Sequence, residues 1–100
     1  MEILTTGVAG TMESSDIIVR IENNPNGGIV LSLESTVMKQ FGRRIEAVIR
    51  ETLENIGIKN ALVSAVDKGA LDCTVEARVK TAAYRAANRA DFTFSKGEAR

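Results

Sequence analysis

Apolar and polar residues alternate along DIIVRIE, residues 16–22, with Ile17, Val19 and Ile21 on one side and Arg20 and Glu22 on the other. A period of two marks a strand with one buried face. The next six residues, NNPNGG (23–28), are dense in turn formers. IVLSLE (29–34) then alternates again, with Ile29, Leu31 and Leu33 inward. Two such strands joined by a short Asn/Pro/Gly loop predict a β-hairpin. From Ser35 or Thr36, either of which can cap a helix, the period changes. Val37, Met38, Phe41, Ile45, Val48, Ile49, Leu53 and Ile56 recur at spacings of three and four, with Arg and Glu opposite. That predicts an amphipathic helix over 36–56, about six turns long, stopped by Gly57. Gly42 inside it either permits close packing or is neutral.

The second half reads as a repeat of this plan. ALVSAV (61–66) is a short strand and DKGA (67–70) a turn. LDCTVEARV (71–79) alternates as a further strand, with Leu71, Cys73, Val75, Ala77 and Val79 inward. KTAAYRAANRA (80–90) is Ala-rich and helical. Residues 1–15 have no period and read as a flexible N-terminal arm, with a short strand possible only at Ile3–Leu4. Residues 91–100 read as a frayed tail whose Phe92 and Phe94 can pack back. The order β-β-α-β-β-α predicts an α+β fold. Its sheet is mostly antiparallel, of about four strands, with two helices packed on one face. No linker or low-complexity segment divides the chain, so a single domain over 1–100 is expected.

Composition narrows the function. Thirteen basic residues balance thirteen acidic ones, which argues against broad electrostatic binding to nucleic acid. No apolar run is long enough to span a membrane, and MEILTTGVAG lacks the pattern of a secretory leader. A lone cysteine fits a reducing cytoplasm. The chain has no histidine, which excludes His–Cys metal sites and the Ser-His-Asp and Cys-His nucleophilic arrangements. Carboxylates and lysines remain for acid–base work, but an enzyme in its own right is the less natural reading.

The remaining candidates each have two readings. Cys73, on the inward side of the expected strand, is a small buried hydrophobe or a reactive thiol. Asp67, Lys68 and Asp72 serve a tight turn, or a carboxylate site for acid–base or metal chemistry. Arg43, Arg44 and Arg50 form a solvated helix face, or dock a partner subunit. VAGTMESSD (8–16) places Ser14 among small and acidic residues, with no group beside it to make a nucleophile. Ser14 is either a plain loop serine or a site modified by another protein.

Three segments in order, VAGTMESSD (8–16), QFGRRIEAVI (40–49) and VDKGALDCTVEARV (66–79), carry a resemblance. Together they resemble the acyl carrier, or gamma, subunit family of citrate lyase, over about residues 7–88. DKGALDC is the most specific run. The chain does not resemble the four-helix acyl carriers, since the Asp-Ser-Leu that opens a helix there is missing.

The resemblance implies that the serine of a Gly-Thr-x-Glu-Ser segment carries a covalent prosthetic group through a phosphodiester. The group is 2'-(5''-phosphoribosyl)-3'-dephospho-CoA. GTMES is residues 10–14, so the position is Ser14; Ser15 follows where the family usually has a small residue such as Gly. It further implies a non-catalytic carrier loaded by a prosthetic-group transferase and working with the citrate lyase alpha and beta subunits. The alpha subunit exchanges acetyl for citryl on the arm, and the beta subunit cleaves the citryl thioester to oxaloacetate and the acetyl carrier. Such a carrier needs no histidine or reactive cysteine of its own, because the working thiol arrives on the arm. Glu13 and Asp16 are then expected to position the loop or to repel the arm's phosphates. The rivals are the carrier of a related citramalate lyase or malonate decarboxylase, and an unmodified interaction domain.

Overall fold

The computed structural model describes residues 1–88. The element order is β1 (Gly7–Gly10), β2 (Ile17–Glu22), β3 (Ile29–Ser35), α1 (Met38–Asn55), β4 (Ala61–Asp67) and α2 (Asp72–Ala86). The four strands form one sheet in the order β1-β2-β4-β3. The β1–β2 and β2–β4 pairs are antiparallel, and β3–β4 is parallel. The α+β expectation of a mostly antiparallel four-stranded sheet therefore holds, with one parallel pair making it mixed.

The periods that predicted β2, β3 and α1 are those the structure uses, except that Met38 and Phe41, placed inward by the helical period, are exposed in the first turn of α1. Ile17, Val19 and Ile21 are fully buried, as are Ile49 and Leu53 on the inner face of α1. Both helices cover the sheet face that carries Ala9, Val19, Val63 and Ala65. The opposite face, with Val8, Arg20, Val30 and Leu62, is open. Gly57 ends α1 with a φ of +83°, as its sequence position predicts. At the other end the helix begins at Met38, and neither Ser35 nor Thr36 caps it. Ser35 Oγ instead accepts the Val37 N–H at 3.0 Å and donates to Asp67 Oδ2 at 2.8 Å.

Four expectations are corrected. First, β2 and β3 run antiparallel but do not pair, because β4 lies between them. Strands two places apart are about 10 Å from each other, which a six-residue loop spans easily. The loop is fastened there: Asn24 Nδ2 donates to the Gly27 and Gly28 carbonyls, and Gly28 N–H donates to Asn60 Oδ1. The β3–α1–β4 crossover supplies the inserted strand, as parallel neighbours require.

Second, residues 71–79 are helical rather than extended. Val75 and Val79 are compatible with both periods, since four residues is two strand repeats and about one helical turn. What decides is the continuation: Val75, Val79, Ala82, Ala83 and Ala86 are all fully buried on one helical stripe. Leu71, Cys73 and Ala77, expected inside, are exposed. Third, the arm expected over 1–15 contains strand β1, paired to β2 from Gly7↔Ile21 to Gly10↔Ile18. Its short glycine-rich sequence hid it, and Gly7 explains the composition. A Cβ there would overlap the Ala82 carbonyl oxygen and lie 2.5 Å from Ala86 N. Strand β1 and the alanine stripe of α2 thus approach as closely as backbones allow. Fourth, the order is β-β-β-α-β-α. The tail 91–100, with Phe92 and Phe94, lies outside the described residues.

Candidate functional site

The β1–β2 turn holds Ser14. Gly10 ends β1 with a φ of +102°, where a Cβ would overlap the Ile17 carbonyl. Residues 11–15 are all exposed. The order of this turn comes from Asp16. Its Oδ2 accepts from Thr11 Oγ1 at 2.7 Å, and its Oδ1 accepts from Ile17 N–H at 2.7 Å. Arg78 of α2 grips both oxygens, Nε to Oδ1 at 3.0 Å and Nη2 to Oδ2 at 2.8 Å. The Asp16 side chain is 13% exposed against 38% for Arg78. The Arg78 and Thr11 hydrogen bonds hold the Asp16 carboxyl well below the usual carboxylate range.

The turn is also tied to the end of β4. Ser15 N–H donates to the Lys68 carbonyl at 2.8 Å, and Lys68 N–H donates to the Asp16 carbonyl at 2.8 Å. Asp16 N–H closes the turn on Glu13 O at 3.1 Å. Ser15 sits at a φ of +66°, a region where glycine costs nothing. Ser14 is left at the apex. Its hydroxyl has no hydrogen-bond partner among the described residues, and none of them forms a cluster fit to hold a metal ion. The chain has no imidazole to act as its base. The arrangement presents a hydroxyl on a braced turn, with no hydrogen-bonded base beside it among the described residues.

The other candidate residues are distributed differently. Asp67 is fully buried, and its carboxylate accepts from Ser35 Oγ, Gly69 N–H and Ala70 N–H at 2.8, 3.0 and 3.0 Å. This is the turn role, with no lone pair turned to solvent for acid–base work. Asp72 pairs with Arg44 at 2.7 Å, joining the starts of the two helices, and Arg50 pairs with Glu46 at 3.0 Å. Two of the three arginines expected to form a docking face are therefore engaged within the chain. Cys73 stands exposed on α2, which overturns its reading as a buried hydrophobe. Sequence reasoning missed Arg78, because nothing in local spacing links it to an aspartate 62 positions earlier.

A shallow depression of about 310 Å³ lies beside the turn. It is bounded by Met12, by Glu34–Thr36 at the end of β3 and by Val66–Lys68 at the end of β4.

Comparison with known proteins agrees with this layout. The acyl carrier family model described as the malonate decarboxylase delta subunit matches residues 5–86. The citrate lyase acyl carrier protein of Streptococcus uberis is 56% identical over 87 residues, covering 87% of this chain and 85% of that protein. Citrate lyase acyl carrier protein 2 of Salmonella paratyphi A is 50% identical over 95 residues, covering 95% and 98%. A chain from the crystal structure of a Pseudomonas malonate decarboxylase hetero-tetramer in complex with malonate shares the fold. Its TM-score is 0.62 at 16% identity, over 85% of this chain and 91% of that one. With half or more of the aligned residues identical across most of its length, this chain belongs to the citrate lyase acyl carrier protein family.

Proposed function

We propose that the chain is the acyl carrier subunit of citrate lyase, with 2'-(5''-phosphoribosyl)-3'-dephospho-CoA attached to Ser14 through a phosphodiester. The observation that carries this is the exposed Ser14 hydroxyl, unpartnered among the described residues, on a turn whose position is fixed by Asp16 and Arg78. The residues fit such a group. A serine hydroxyl is the needed acceptor, it is exposed among the described residues, and the nearest braced carboxylate is neutralised by Arg78. When bound, the group supplies a thiol that holds acyl groups as thioesters.

The chain's own part is to present Ser14 on an exposed turn and remain folded as the arm moves between active sites. A tether of this kind raises the effective concentration of acyl group at each site. The alpha and beta subunits of citrate lyase then perform the exchange and cleavage, a transferase loads Ser14, and the cytoplasm is the compartment. In this reading the carrier is one domain and catalyses nothing itself.

Intact mass and peptide mapping of the protein from its native cells test the reading. An adduct far heavier than phosphate is expected on the peptide containing Ser14, releasing a thiol, and S14A should abolish it while S15A retains it. A bare mass in cells with active lyase would overturn it. The malonate decarboxylase family model favours a second reading, a carrier for a decarboxylase. The subunits that co-purify decide between the two.

A further inference from the structure

Resting on the reading that Ser14 bears a phosphodiester, we infer that the Lys68 ammonium is its counter-cation and holds the first link of the arm beside the ends of β3 and β4. The backbone places Lys68 at the turn. Its carbonyl accepts from Ser15 N–H and its N–H donates to Asp16 O, both at 2.8 Å, so residue 68 lies next to the two residues that follow Ser14. Lys68 lines the same depression as Met12, two residues before Ser14.

Charge accounting leaves it available beside the turn. The ion pairs of the described residues engage Arg20, Arg44, Arg50, Arg78 and Lys80, and Lys68 is in none of them. Arg78, the other cation at the turn, is committed to both oxygens of Asp16. Asp67, the residue before Lys68, is saturated by three donors. Glu13 and Glu34 are the remaining carboxylates nearby, both exposed and without an ion pair among the described residues. A phosphodiester adds a full negative charge beside this half-buried lysine at every working pH, and attachment itself brings the two together. An ammonium on a flexible stem suits an anion whose orientation changes as the arm swings.

The experiment uses the full chain, loaded and unloaded, with intact mass confirming the state of Ser14. NMR of the lysine side chains should show the Lys68 ammonium and Cε resonances moving on loading, while those of Lys39 and Lys59 stay fixed. The phosphorus resonance of the diester should move in K68Q and return in K68R, and high salt should erase the difference. K68Q keeps both backbone hydrogen bonds of residue 68, so it is expected to fold. A loaded chain with an unmoved Lys68 and the same phosphorus resonance in K68Q overturns the inference alone. A bare Ser14 in the native protein overturns the carrier reading, and this inference with it.

Discussion

At the scale of single residues, the turn around Ser14 is fixed by two neighbours with different costs. Ser15 holds a φ of +66°, so Ser15→Gly removes a steric penalty while adding chain entropy to the unfolded state. S15G is expected to be neutral to stabilising by up to about 1 kcal/mol, measured by urea unfolding, with Ser14 still loaded. Asp16 is depressed by Arg78 and Thr11, so its stabilisation is fully present above the ordinary aspartate range. Below about pH 4 the unfolded chain takes up a proton that the folded chain refuses, and stability falls as pH falls. R78A removes the chief cause. Its thermal midpoint at neutral pH should drop by roughly 5–10 °C, and its acid decline should be shallower than that of the parent. The serine, its acidic neighbours and the open turn were legible in the sequence. The brace was not, because hydrogen bonds between residues far apart in the chain leave no periodic trace.

At the scale of elements, the glycines of β1 and α1 do opposite things. Gly7 faces the backbone of α2, which cannot retreat, and G7A should cost about 2–3 kcal/mol through overpacking. Gly42 in α1 has only the Met38 side chain, ending in a flexible thioether, over its Cβ position. G42A is expected to be neutral to stabilising by up to about 1 kcal/mol, as alanine is the better helix former. Chemical denaturation of the two variants side by side checks both. Strands β2 and β3 and helix α1 were readable because each has a single period over enough residues. Helix α2 was misread because its first two core valines are four apart, a spacing both periods share. Strand β1 was missed because four residues, GVAG, offer almost no side chain to alternate.

At the scale of the whole molecule, the ends of β3 and β4, the starts of both helices and the serine turn gather at one pole. Asp67 is the buried bracket there, taking a donor from Ser35 at the end of β3 and two from the turn toward α2. D67A strands those donors and should cost about 2–3 kcal/mol in unfolding experiments. At a temperature where it is still folded, it should accept the arm at the parent rate, since the carboxylate does no chemistry. The sequence disclosed the layers of this molecule but not its strand order. Inward-facing patterns say which side a strand buries and nothing of which strand sits beside it.

The Arg78 brace also sets an order in time. On a ribosome the serine turn emerges early, but its guanidinium clamp is synthesised 62 residues later. Nascent chains arrested before residue 78 should therefore be poor substrates for loading, and mass analysis of released fragments against the finished chain measures the difference. Under the proposed function, attachment at Ser14 then follows the synthesis of Arg78, and the clamp ties loading to the folding of α2 onto the turn.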